Sequence, residues 1–139
     1  MANAQLIIPG RSIGNICLDD SEMTLLSKIE GEYIKEKRSE SSCVYHFHST
    51  KVWIDRESKR VYQITVGKGF NGYFQDSISI GSKFYELKKF GHVYCENEII
   101  PVYMIDGIDG ICFELDDDET IDDKYDIGEK RIAWISVFK

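Results

Sequence analysis

The chain lacks long hydrophobic runs, is poor in proline and has no basic residue in its first nine positions. No apolar run among its 139 residues approaches the roughly 18 that a membrane-spanning helix needs. Segment 1–9 carries no basic residue and only a short apolar stretch, so we expect no signal peptide. Two prolines and a hydrophobic content of 42% are typical of a folded domain. The sequence predicts a single globular domain over residues 1–139, without a membrane partner.

The chain also lacks any close pair of cysteines. Its four cysteines lie far apart, at Cys17, Cys43, Cys95 and Cys112. This spacing provides neither a C-x-x-C motif nor the dense framework of a small disulfide-bonded domain. Three of the four (all but Cys95) lie in apolar stretches, as buried structural thiols do. We therefore expect reduced thiols and a cytoplasmic protein.

Positive charge is scarce, and negative charge is concentrated in one segment. The net charge is −7, which argues against nucleic acid or an anionic membrane as the partner. Residues 1–70 carry ten basic and nine acidic side chains, whereas residues 71–139 carry seven and fifteen. Segment 114–129 alone has nine acidic side chains against the single Lys124, which accounts for the whole excess of the second half. The acidity is therefore a local feature that could serve a specific contact.

No motif indicates an enzyme or a cofactor site. Residues Gly67–Gly72 match G-x-G-x-x-G, but an aromatic and then extended segment follows, where a dinucleotide site needs a helix N-terminus. His46 and His48 are expected on one strand face, but no spacing supplies the further ligands that a metal needs. No Ser, Cys or Asp near them forms a nucleophile motif. We predict no catalysis, no cofactor and no metal.

An internal repeat organises the chain. Lys59–Val66 aligns without gaps to Lys130–Val137, with four identical positions. Two further blocks recur in the same order: 44–48 with 52–55 matches 102–106 with 111–114, and 12–16 matches 77–81. Three matches in one order favour duplication over chance. The repeats are predicted at about residues 12–66 and 76–138.

Each half is predicted to be one helix followed by three strands. Ser21 and Ser82 are candidate N-caps of helices that run to Ile29 and Phe90. Alternating segments rich in β-branched and aromatic residues predict strands at about 43–48, 51–56, 60–66, 101–106, 110–115 and 130–138. Short connections between strands require antiparallel neighbours. The predicted fold class is α+β, with an antiparallel meandering sheet covered on one face by two helices.

Two surfaces are candidate binding sites. The first is the acidic segment, whose carboxylates could steer a basic partner while an aromatic side chain anchors it. Its candidate residues are Glu114, Asp116, Asp117, Asp118, Glu119, Asp122, Asp123, Tyr125 and Asp126. The second is the exposed sheet face around Trp53, Gln63 and Trp134. If this face binds the partner, the acidic segment is only a solvent-exposed loop without a binding role.

The segment Ile7–Leu18, followed by a short helix and then strands, resembles small bacterial immunity proteins. These are the antitoxins of contact-dependent growth inhibition and related polymorphic toxin systems. The duplicated plan is also similar to that of β-lactamase inhibitory proteins, which present a protein-binding sheet. The chain departs from the pattern at Asp19-Asp20, where related sequences often carry a glycine, whereas Gly81 keeps it.

The resemblance implies a cytoplasmic immunity protein that neutralises the C-terminal toxin domain of such a system. That toxin domain is frequently a nuclease with a basic cleft, which an acidic segment would suit. The alternative is a non-catalytic structural or assembly module of the cell envelope. The sequence identifies neither the toxin nor the oligomeric state.

Overall fold

The computed structural model describes residues 5–117 and 127–139. Within them lie one α-helix, α1 (Glu22–Lys28), and two 3-10 helices, Phe84–Phe90 and Ile127–Glu129. The strands are β1 (Gln5–Ile8), β2 (Ser12–Ile13), β3 (Ile16–Cys17), β4 (Ile34–Lys37), β5 (Ser42–Phe47), β6 (Thr50–Asp55), β7 (Arg60–Val66), β8 (Gly72–Tyr73), β9 (Val93–Cys95), β10 (Tyr103–Ile105), β11 (Ile108–Leu115) and β12 (Ile132–Phe138).

Eight strands form one large sheet, in the order β4-β5-β6-β7-β12-β11-β10-β9. All neighbours are antiparallel. Short loops join β4 to β5, β5 to β6, β6 to β7 and β10 to β11, and such loops require antiparallel pairing. The two-residue loop Asp106-Gly107 joins β10 to β11, and Gly107 has a φ of +87° that suits such a turn. Strands β7 and β12 meet in the middle, where Thr65 lies opposite Ser136.

One face of the large sheet, here called the inner face, carries the core. Its side chains pack against a second layer made of a four-stranded sheet (β3-β2-β1-β8), α1 and the first 3-10 helix. Leu25 of α1 and Leu87 of the 3-10 helix are both fully buried. The fully buried residues contributed by the large sheet include Val52, Ile64, Ile111, Phe113, Ile135 and Val137. Burying this apolar area is the main favourable contribution to folding.

The predicted α+β fold with two covering helices is wrong. The described residues are mostly β, with 47% in strands and 13% helical, and four strands replace much of the predicted helical cover. Helix α1 starts as predicted, since the Ser21 side chain accepts a hydrogen bond from Thr24 N. It ends after only seven residues. The predicted unit of one helix and three strands is wrong too, because each half contributes four strands to the large sheet.

The second predicted helix is a 3-10 helix, and its apolar spacing explains why. Phe84, Leu87 and Phe90 recur every third residue. That period matches the 3.0 residues per turn of a 3-10 helix, in which residues i and i+3 eclipse. The predicted cap at Ser82 is also wrong: the N-cap is Lys83, and Ser82 Oγ instead accepts a hydrogen bond from Ser79 N. A 3.6-residue helix would turn these side chains away from the sheet.

The segments 59–66 and 130–137 nevertheless occupy matching backbone positions. Asp19 N donates to Val61 O, and Gly81 N donates to Ile132 O, each at 2.8 Å. The guanidinium of Arg60 donates to Asp19 O, and that of Arg131 donates to Gly81 O, again at 2.8 Å. Asp19 and Gly81 both have positive φ, at 70° and 93°. Asp is among the few non-glycine residues that adopt this conformation readily.

The strand registers correct one part of the sequence alignment. Trp53 lies opposite Gln63 in β6 and β7, and Glu114 lies opposite Trp134 in β11 and β12. Glu114, rather than Cys112, therefore holds the position of Trp53 in the second half. The sequence alignment of the two halves is therefore shifted by two residues at this strand. Because two is an even number, the shift does not change which side chains are assigned to the inner face and which to the outer face. It arises near Ile108–Gly110, where the pairing of β10 with β11 shifts register.

Candidate protein-binding face

The second face of the large sheet, here called the outer face, carries mixed aromatic and polar side chains. Its central residues are Lys51, Trp53, Gln63, Thr65, Cys112, Glu114, Trp134, Ser136 and Phe138. Side chains alternate between the two faces of a sheet along each strand, so these residues lie on the face that is turned away from the core. Both tryptophans remain partly exposed, as do Lys51 and Gln63. The outer face is therefore a candidate contact surface held on rigid strands.

A hydrogen-bonded pair of hydroxyls lies at the centre of the outer face. Thr65 Oγ1 and Ser136 Oγ are 2.6 Å apart, and the two residues are only 4% and 3% exposed. Gln63 Nε2 also donates to Thr65 Oγ1 at 3.2 Å. Buried polar groups that satisfy each other in this way fix the local arrangement of side chains. The pair links the two halves of the sheet where β7 meets β12.

The adjacent thiol is not arranged for nucleophilic chemistry. Burial and, to a smaller extent, the nearby charge of Glu114 raise the pKa of Cys112 to about 11, although a hydrogen bond with Ser136 acts in the opposite direction. A nucleophilic cysteine needs a lowered pKa, because the thiolate is the reactive species. Cys112 is therefore a packing residue at neutral pH.

The indole of Trp134 packs against Gly67, the residue after β7, where only glycine leaves room for it. A Cβ at Gly67 would lie 2.4 Å from the indole ring. The ammonium of Lys51 lies 4.4 Å from the centroid of the same ring, within the range of a cation–π interaction. These two contacts hold the indole in one orientation. A preorganised aromatic side chain loses little conformational entropy when a partner binds.

The structure places three residues of the acidic segment. Glu114 is half-buried opposite Trp134, and Asp116 and Asp117 are exposed just after β11. The backbone N–H of Asp116 donates to Arg131 O at 2.7 Å. The other predicted residues, Asp118, Glu119, Asp122, Asp123, Tyr125 and Asp126, lie outside the described residues. The two surfaces that the sequence offered as alternatives therefore adjoin, because Glu114 is part of the outer face.

Only one of the two histidines lies on a strand, because His48 is in the turn that follows β5. His46 is the fifth residue of β5, and its Nε2 lies 2.7 Å from Glu36 Oε1. His48 follows β5 with a φ of +52°, and its Nε2 lies 2.9 Å from Glu30 O. Each imidazole thus has its own partner. Within residues 5–117 and 127–139, no three His, Cys, Asp or Glu side chains are grouped to hold a metal ion.

A polar cluster that the sequence did not predict joins α1 to the inner face. The hydroxyl of Tyr45 donates to Glu22, whose carboxylate also lies 2.9 Å from Lys35 Nζ. The hydrogen bonds from Tyr45 and Lys35 lower the pKa of Glu22. Burial and the bond to Glu22 raise the pKa of Tyr45 to about 12. The spacing of residues 22, 35 and 45 in the sequence does not indicate that they form a cluster, because only the tertiary fold brings them together.

We expect this cluster to give the protein a distinct alkaline transition. Tyr45 has a folded pKa of about 12 against an ordinary value of 10.0, so its contribution is complete below pH 10 and is lost as pH rises towards 12. The free energy of unfolding should fall by about 2 kcal/mol over this range, because each pKa unit corresponds to about 1.4 kcal/mol. Urea denaturation of the wild type and Tyr45→Phe at several pH values measures the difference. Equal pH dependence of the two proteins would contradict it.

Comparisons with protein-family models, with curated proteins and with solved structures gave no match. Among the described residues, no helix has the length and apolar character needed to cross a membrane.

Proposed function

We propose that this chain binds another protein through the outer face and acts as an inhibitor of the immunity-protein type. The observation that carries the proposal is the outer face itself. Eight antiparallel strands present two partly exposed tryptophans around a buried hydroxyl pair, with the acidic segment starting at Glu114. Tryptophan is among the side chains most enriched at the energetic centres of protein interfaces.

The arrangement suits recognition better than catalysis. Its strands fix side-chain positions, and its polar centre is already satisfied by internal hydrogen bonds. The partly buried thiol of Cys112 beside that centre has a raised pKa. A partner that covers the outer face would therefore gain mainly from burial of the tryptophans and from charge complementarity at the rim.

The charge distribution in the sequence supports a partner with a basic surface. Nine acidic side chains within residues 114–129 create a local negative potential that attracts cations and speeds encounter. A nuclease toxin has such a surface, because its cleft binds phosphates. In this proposal the chain is a cytoplasmic antitoxin and its partner is the C-terminal domain of a polymorphic toxin.

Growth rescue tests the proposed function directly. Each toxin domain encoded beside this gene is expressed alone and together with the wild-type chain in a sensitive bacterium. The proposal predicts that one toxin loses its effect and forms a stable complex with the chain. Rescue by none of these toxins, with the chain expressed and folded, would contradict the immunity function.

Neutralising the acidic segment should slow association. We expect Asp116, Asp117, Asp118, Asp122 and Asp123, all changed to asparagine, to reduce the association rate constant with the toxin about tenfold at low salt. The dependence of that rate on ionic strength should weaken as well, because salt screens the lost attraction. Stopped-flow measurements across ionic strength test this. A wild-type rate with a wild-type salt slope would assign binding to the outer face alone.

A further inference from the structure

A groove of about 700 Å³ opens at one end of the outer face. We call it the Trp134 groove, and its main lining residues are Lys51, Gly67, Lys68, Ile80, Arg131 and Trp134. The turn after β5 and the segment after β7 form one side, and the start of β12 forms the other. The groove therefore continues the proposed contact surface beyond the strands.

The Trp134 groove is positively charged, although the protein as a whole has a net charge of −7. Lys51, Lys68 and Arg131 line it, and its only acidic lining residue among those described is Asp116. Arg131 donates one hydrogen bond, to Gly81 O. Within residues 5–117 and 127–139, neither Lys51 nor Lys68 forms an ion pair with a carboxylate. Two ammonium groups are thus available at the groove for an anionic group.

The lining is apolar as well as cationic. The Trp134 indole lies against Gly67, and Phe70 and Ile80 also line the groove. An inorganic anion would gain nothing from these surfaces. A peptide segment would gain from both, since a carboxylate could meet the ammonium groups while an apolar neighbour covers the indole.

We propose that the Trp134 groove binds a protein segment in which a Glu or Asp side chain lies beside an apolar residue. This inference rests on the proposed function and refines it. It adds a contact in which this protein contributes positive charge, whereas the acidic segment contributes negative charge. A partner must then present a basic surface to residues 114–129 and a carboxylate to the groove. Two contacts of opposite sign permit one docking orientation and disfavour the reversed one.

The test uses a short Gly/Ser peptide in which two glutamates flank a leucine, together with its glutamine counterpart. Each peptide is titrated into the ¹⁵N-labelled full chain, and the indole N–H signals of Trp134 and Trp53 are followed. We expect the glutamate peptide to shift the Trp134 signal and the glutamine peptide to bind about tenfold more weakly, as the loss of two partly desolvated ion pairs would give. The double variant Lys51→Gln/Lys68→Gln should weaken the glutamate peptide by a similar factor.

Lys88→Gln/Lys89→Gln is the matched control, because it removes two exposed lysines outside the groove. It should leave the affinity for the glutamate peptide unchanged. Equal binding of the two peptides, or an undiminished affinity of the Lys51→Gln/Lys68→Gln variant, would overturn the proposal. Inorganic phosphate that displaces the peptide at equal concentration would show a simple anion site and would overturn it too. No toxin is used, so these results are independent of the growth-rescue test.

Discussion

Replacing both Trp53 and Trp134 by alanine is expected to weaken binding of the proposed toxin partner by two to three orders of magnitude. Buried aromatic anchors each contribute about 2 kcal/mol or more to an interface, and about 1.4 kcal/mol corresponds to a factor of ten. Both indoles are partly exposed on the outer face, and Lys51 holds that of Trp134 in place before the partner arrives. Most of the change should appear as faster dissociation. Surface plasmon resonance with the purified toxin domain measures it.

The control for this experiment is an aromatic side chain outside the outer face. Tyr73 is exposed on β8 in the small sheet. Tyr73→Ala should therefore leave the affinity within about twofold of wild type, as expected for a residue outside the interface. Circular dichroism would verify that each variant is folded. Wild-type affinity of a folded Trp53→Ala/Trp134→Ala variant would exclude the outer face as the binding surface.

Replacing Gly110 by alanine is expected to lower the free energy of unfolding by about 3 kcal/mol. The residue has a φ of +81°, and a Cβ there would lie 2.5 Å from Gly10 N and 2.8 Å from Phe138 O. Both neighbours are backbone atoms, which cannot rotate away as a flexible side chain can. A strained φ and a backbone displacement each cost on the order of 1–3 kcal/mol. The contact also carries a hydrogen bond, since Gly10 N donates to Gly110 O at 2.9 Å.

Gly107 provides the matched control for the same substitution. Its φ of +87° is similar, but no atom lies within 4 Å of the position of its Cβ. Gly107→Ala should therefore cost only the conformational strain, about 1 kcal/mol. Urea denaturation of the two variants separates strain from steric contact. Equal losses of stability in the two variants would mean that the close approach of Gly10 to Gly110 adds no steric cost to the Gly110→Ala substitution.

If both contacts of the proposed interface hold, the protein selects its partner by a pattern of charge. The acidic segment would attract many basic proteins, including harmless nucleic-acid-binding ones. The Trp134 groove would reject those that lack a carboxylate at the right place, because Lys51 and Lys68 would then be desolvated without a partner. An immunity protein needs such discrimination, since it must leave the host's own basic proteins free.

Local patterns in the sequence were sufficient for the central strands. The alternation in β5, β6, β7 and β12 predicted their positions to within about two residues, because a strand with one buried face must alternate apolar and polar side chains. The cap at Ser21 was also predicted correctly. Each depends on chemistry within a few residues of the chain.

The covering layer could not be predicted in the same way. Strand β1 pairs in parallel with β8, whose residues lie more than sixty positions further along the chain. Both segments are short, with four and two residues, and neither has a pattern that marks its partner. The period of three in Phe84, Leu87 and Phe90 predicts a helix, and only the contacts with the sheet make it a 3-10 helix.

The sequence by itself determined the sheet-forming segments, the local concentration of negative charge and the two tryptophans. Only the tertiary structure decided that Trp134 lies opposite Glu114, that Lys51 stacks on its ring, and that Lys68 and Arg131 line one groove with it. The reason is physical. Strand propensity and charge belong to residues and their near neighbours, whereas a binding surface depends on strand order and register, which are set by contacts between distant parts of the chain.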